Sequence, residues 1–123
     1  LLHHAAEIAH WADAEVTLLA VADTTRDSVT VAEGEVLDAL VESGEELVDE
    51  TSRILDSLGV EYTTDVVQGS PAQTIVDYAE THDVDQIVMG GHGGDASDLT
   101  KRLLGTVATA VVRDAPVTVT VVR

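Results

Sequence analysis

With 123 residues, 45% of them hydrophobic, the chain is long enough for one domain with a moderate core and too apolar for disorder. Its 23 acidic against 6 basic side chains leave a formal charge of −17, a surface that repels phosphate backbones and argues against DNA or RNA as a partner. The absence of Cys excludes disulfides, thiol catalysis and cysteine-ligated metal, and no apolar run approaches the roughly 18 residues of a membrane helix.

Leu1 to Trp11 has helical spacing through Leu1, Ala5, Ile8 and Ala9 or Ala12, with no N-cap before it, so a segment upstream is expected. Glu15 to Val21 reads as a strand apolar enough to be covered on both faces, and Ala22 to Ala32 as a polar loop. From Glu33 to Leu58, apolar residues at Val36, Leu37, Leu40, Val41, Leu47, Val48, Ile54, Leu55 and Leu58 form one helical stripe. Gly44 is tolerated within it and Gly59 is a C-terminal stop. Glu42, Glu45, Glu46, Asp49 and Glu50 read as the solvated outer face of that helix, not as a catalytic pair. Val60 to Val67 is a second strand, more alternating and nearer an edge.

Ser70-Pro71-Ala72-Gln73 predicts a helix start, with Ser70 at N-cap, Pro71 at N1 and Gln73 closing a capping box; Ile75, Val76 and Ala79 give its buried face. Asp85 to Met89 is a third strand. Thr106 to Arg113 is a helix with Thr106 at its N-cap, and Val117 to Val122, after the break at Pro116, is a last strand. The strict α-β-α-β-α-β-α-β alternation predicts an α/β fold: a doubly wound parallel sheet with helices on both faces, in one domain spanning residues 1–123. With no signal peptide in view, a cytoplasmic location is expected.

The third strand ends abruptly in Gly90-Gly91-His92-Gly93-Gly94, and the chain then leads to Gly105-Thr106 and a helix. Strand, glycine loop and helix N-terminus together collect unpaired backbone N–H groups where a phosphate can sit. A plain crossover loop has the same composition, so the glycines alone leave both readings open. Scarce lysine (Lys101 alone), abundant carboxylate and no Phe resemble proteins of salt-loving microbes.

Val88 to Arg113, with Ala115-Pro116-Val117 and the valine-rich end, resembles the universal stress protein family, whose signature is Gly, two residues, Gly, nine residues, Gly, then Ser or Thr. Gly90 and Gly93 match its first half and Gly105-Thr106 its second; Gln68-Gly69-Ser70-Pro71 is similar to the family's Gly-x-Pro turn. Between Gly93 and Gly105 lie eleven residues in place of nine, and Asp95 and Asp98 add negative charge there. The resemblance implies a five-stranded sheet of order 3-2-1-4-5. Its first strand, ending in an Asp that contacts the base, is missing from this sequence. The resulting slot between Glu15–Val21 and Gln86–Met89 would leave buried backbone groups unpaired, at about 1–3 kcal/mol each. An upstream strand is therefore expected to fill it; the alternative is closure by another chain or by the strands present.

The same resemblance implies a protein that binds ATP, with Mg, as a stress-response regulator. Met89 would line the pocket, and Gly90 and Gly93 would admit backbone N–H groups to the phosphates and ribose. His92 would touch phosphate or ribose, Gly105, Thr106, Val107 and Ala108 would present the helix N-terminus, and Val21 would pack on the base. Each has a plainer reading, as loop glycine, helix cap, solvated histidine or core filler. At molar salt a Debye length of about 3 Å screens the chain's repulsion of ATP. No general base or arginine finger for hydrolysis is evident, so rapid turnover is not expected. The alternative is a member without nucleotide, serving as an interaction module. Either reading predicts a homodimer: the uncharged last strand is an exposed edge that pairs across a twofold axis, with Val117, Val119 and Val121 at the interface. His3, His4 and His10 lack the spacing of a metal site, no Ser-His-acid arrangement is evident, and Lys101 or Arg102 is placed equally well for a phosphate contact or for the surface.

Overall fold

A computed structural model describes residues 1–23, 33–91 and 104–122; the side chains of residues 33–41 lie outside that description. The element order is α1 (Leu2–Ala12), β1 (Val16–Asp23), α2 (Glu33–Ser57), β2 (Tyr62–Gly69), α3 (Pro71–Thr81), β3 (Gln86–Gly90), α4 (Thr106–Asp114) and β4 (Thr118–Val122). The alternation read from the sequence is therefore present. The chain divides into two compact units, Leu2–Pro71 and Ala72–Arg123, the second also taking in Leu1. Among the described residues no helix is long and apolar enough to cross a membrane.

In the first unit β1 and β2 pair in parallel, from Val16 opposite Tyr62 to Asp23 opposite Gly69. The strand expected to end at Val21 continues through Ala22 and Asp23, because Gln68 and Gly69 extend the ladder; the second strand likewise runs later than Val60–Val67. Val60 belongs instead to the turn after α2, and it is buried. That turn is a Schellman motif around Gly59 (φ +71°): Val60 N–H donates to the Leu55 carbonyl and Gly59 N–H to that of Asp56, both at 3.2 Å. Leu55 is 1% exposed and heads a cluster with Ala6, Ala9 and Val60, against which Leu2, Val16, Leu18, Leu58 and Tyr62 pack. α1 thus buries a face through Leu2, Ala6 and Ala9. Of the expected stripe through Leu1, Ala5, Ile8 and Ala9 or Ala12, Ala9 is buried and Ala5 and Ile8 are half-buried, whereas Leu1 and Ala12 are exposed.

On α2 the face toward the sheet is Gly44, Val48 and Leu55. A Cβ at Gly44 would stand 3.0 Å from Val66 Cγ1 and 3.7 Å from Ala20 Cβ, so this glycine lets helix and strands approach closely. The expected stripe is too wide: Leu47 and Ile54 sit at its flank, 58% and 43% exposed. His10 is exposed and places Nε2 3.4 Å from the Leu58 carbonyl oxygen.

In the second unit β3 and β4 pair in parallel, from Gln86 opposite Thr118 to Gly90 opposite Val122. The third strand includes Gly90, and the last begins at Thr118, leaving Val117 in the bend before it. Val76 and Ala79 of α3 and Ala108 and Val111 of α4 are buried, Val111 completely. Pro71 opens α3 as expected, but Gln73 does not turn back toward Ser70; its amide donates forward to Asp77 Oδ1 at 2.8 Å. Gln86 Nε2 donates to Thr120 Oγ1 at 2.6 Å across the β3–β4 pair.

Candidate functional site

The second unit places a concavity at the end of β3, where the glycines begin. It is lined by Leu1, Met89, Gly90, Gly91, Gly105, Thr106, Val107 and Ala108, opens to solvent and has a volume of about 430 Å³, within the range of small-ligand pockets. Of the site residues expected from the sequence, it brings together Met89, Gly90, Gly105, Thr106, Val107 and Ala108. His92 and Gly93 lie outside the described residues, as do Asp95, Asp98, Lys101 and Arg102. Val21 is half-buried on β1 opposite Val67, two residues short of the strand's end, and is not among the lining residues.

Main-chain bonds fix the mouth of this concavity. Gly91 N–H donates to the Val122 carbonyl (3.1 Å), which carries the ladder one residue past β3. Gly105 N–H donates to the Gly91 carbonyl (2.5 Å), so the start of α4 is clasped to the end of β3. Gly105, not Thr106, is the N-cap of α4, with φ −66° and ψ 167° and no side-chain cap bond. Thr106 is the first helical residue and exposed; its hydroxyl therefore cannot fold back as a cap does. The Gly105 carbonyl instead accepts from both the amide and the hydroxyl of Thr109, each at 2.9 Å.

This arrangement redistributes the donors. The Gly105 amide, expected to face an anion, is already bonded to Gly91. The amides of Thr106, Val107 and Ala108 have no acceptor within the helix and form its positive end. Three convergent N–H groups beside a glycine edge suit a phosphate or carboxylate, and the flexible Met89 side chain suits an apolar ring. Gly91 was absent from the expected set although it stands inside the glycine motif; the signal was its place between two glycine matches. Among the described residues no group of three or more His, Cys, Asp or Glu is placed to hold a metal ion.

Comparison with known proteins agrees with this architecture. The family description "Universal stress protein family" matches residues 1–123. A universal stress protein of Methanocaldococcus jannaschii is 36% identical over 123 residues, covering 98% of this chain and 71% of the relative. One from Methanothermobacter thermautotrophicus is 34% identical, covering 100% and 86%. The solved structure of UspA from Lactobacillus plantarum superposes with a TM-score of 0.81 at 27% identity, over 98% of this chain and 86% of that one. With the element order, the glycine motif and the match along its whole length in agreement, the chain belongs to the universal stress protein family.

Proposed function

We propose that this protein is a stress-response regulator that binds ATP, accompanied by Mg, and acts as a cytoplasmic homodimer without rapid turnover, in a salt-rich cell. The observation that carries the reading is the concavity at the end of β3, where six of the expected site residues meet beside the open first turn of α4. Thr106, Val107 and Ala108 would hold a phosphate through their amides, and Met89 with Gly90 would border the sugar and base. ATP would bring a triphosphate able to carry Mg; the chain's own part is to bind and orient it. Val21, His92 and Gly93 are proposed as further contacts. Val119 and Val121, with Val117 before the strand, are proposed as the dimer contact along β4. The sheet order 3-2-1-4-5 is part of the same proposal; the strand pairs described are β1–β2 and β3–β4.

Calorimetric titration of the chain with ATP and Mg²⁺ in molar KCl tests the reading; it predicts saturable heat, whereas no heat and no thermal shift would sink it. One observation favours a second reading, an interaction module without nucleotide. The Gly105 amide is bonded within the chain, and the spacing before it is two residues longer than the family's. Deleting two residues between Gly94 and Thr100 separates the two. Affinity that appears only in the shortened chain identifies the natural protein as the module.

A further inference from the structure

We propose that the outer face of α2 is the element through which ionic strength controls the stability of this chain. Glu42, Glu45, Glu46, Asp49 and Glu50 are all exposed on it. Their spacing sets Glu42 against Glu46, Glu45 against Asp49 and Glu46 against Glu50 at i,i+4, and Glu42 against Glu45 and Glu46 against Asp49 at i,i+3. Such neighbours stand about 5–6 Å apart between Cβ atoms, and like charges there oppose the helix. Arg53 is the basic residue placed to relieve them, at i+4 from Asp49 and i+3 from Glu50. The ion pair formed between described residues is not there but on α4, where Arg113 Nη2 meets its neighbour Asp114 at 2.9 Å. The Ser52 hydroxyl donates to the Asp49 carbonyl and leaves the carboxylates as they are.

The apolar burial described against this repulsion is small. Among the described side chains of the first unit the buried set is Ala6, Ala9, Ala20, Ala22, Val48, Leu55 and Val60, in which Leu55 is the one large side chain. Small side chains remove little apolar area from water. α2 also carries Gly44 at its sheet-facing side, a residue that weakens a helix interior. A net charge of −17 offers few compensating attractions elsewhere.

Screening sets the range. The Debye length is about 10 Å at 0.1 M salt, longer than the carboxylate spacing, and about 3 Å at 1 M, shorter than it. Stability governed by these pairs rises steeply between those two concentrations and then levels. It depends on ionic strength and not on the cation, whereas salting-out keeps growing into the molar range and follows the anion.

Thermal unfolding of the full chain by circular dichroism, from 0.1 to 4 M KCl, provides the test, with NaCl, choline chloride and sodium sulfate at matched ionic strength. The melting temperature is expected to climb mainly below 1 M and equally in all four salts. Glu46 takes part in three of the five pairs. Glu46→Lys is expected to raise the melting temperature at 0.1 M and to cut the gain between 0.1 and 1 M by about half; Glu46→Gln is expected to do so less. Glu7→Lys makes the same charge change on α1, where i±3 and i±4 hold only His3, His4, His10 and Trp11, and is expected to leave most of the gain in place. If the chain is unfolded at 0.1 M, the salt midpoint for folding is the readout, and Glu46→Lys lowers it about twofold. A melting temperature flat below 1 M, a gain that follows sulfate, or equal effects of the Glu7 and Glu46 substitutions would each overturn the proposal.

Discussion

Asp13 and Asp83 occupy left-handed backbone positions (φ 50° and 51°) of the kind Gly59 fills after α2. Each follows a helix whose last turn is closed from beyond it: Ala14 N–H donates to the Ala9 carbonyl at 3.0 Å, and Val84 N–H to that of Ala79 at 3.1 Å. A side chain with a Cβ is disfavoured there, and a carboxylate also meets the negative end of the helix. Asp83→Gly is therefore expected to stabilise the chain by about 1 kcal/mol, read as a higher midpoint in urea unfolding at fixed salt. Gly44 is the opposite case, a glycine required by contact and not by φ. Gly44→Leu is expected to cost about 1–3 kcal/mol, since its side chain would press on Val66 and Ala20. Leu55→Ala, at the most buried large side chain described in the first unit, is expected to cost about 2–5 kcal/mol. In the sequence Gly44 reads only as tolerated within the helix, because apolar periodicity shows which face is inward and not how near the opposing strand lies.

At the scale of elements, α4 and β4 carry the functional reading. Because Gly105 is the N-cap, the Thr106 hydroxyl contributes nothing to the cap. Thr106→Ala is expected to change unfolding free energy by less than about 0.5 kcal/mol, where loss of a capping threonine costs about 1. A loss near the larger figure would show that the hydroxyl caps in solution. On β4, the bond from Gly91 N–H to the Val122 carbonyl fixes which residues face β3. In a parallel ladder alternate residues bond to the same neighbour, so Thr118, Thr120 and Val122 face β3 and the N–H groups of Val119 and Val121 face outward. Val119→Pro thus removes a donor from the outer edge and leaves the β3–β4 ladder complete. Monomers of the variant by light scattering in molar KCl, against dimers of the parent, are the expected result. An unchanged dimer would place the contact elsewhere.

For the whole molecule, ligand linkage gives the most direct measurement. ATP with Mg²⁺ at 100 times its dissociation constant stabilises a single-site binder by about 2.7 kcal/mol, which for a chain of this size is a thermal shift of roughly 10 °C. Much of the architecture was legible beforehand. All eight elements follow from apolar periodicity and from the stop signals at Gly59 and Pro116, and the parallel pairs follow from their alternation, since these are properties of local spacing. Their ends were misplaced by one or two residues, at Val21, at Val60 and at Val117, because a strand stops where its partner stops and the partner is distant in sequence. Six of the nine expected nucleotide-site residues line one concavity, owing to a motif written in consecutive glycines. What only the tertiary structure decided was the use of each backbone group. The Gly105 amide is held by Gly91, a bond between residues fourteen apart that no local pattern encodes, so among the described residues the donors without an acceptor start at Thr106. Residue types along a chain determine which donors exist; the approach of β3 to α4 determines which of them remain for a ligand.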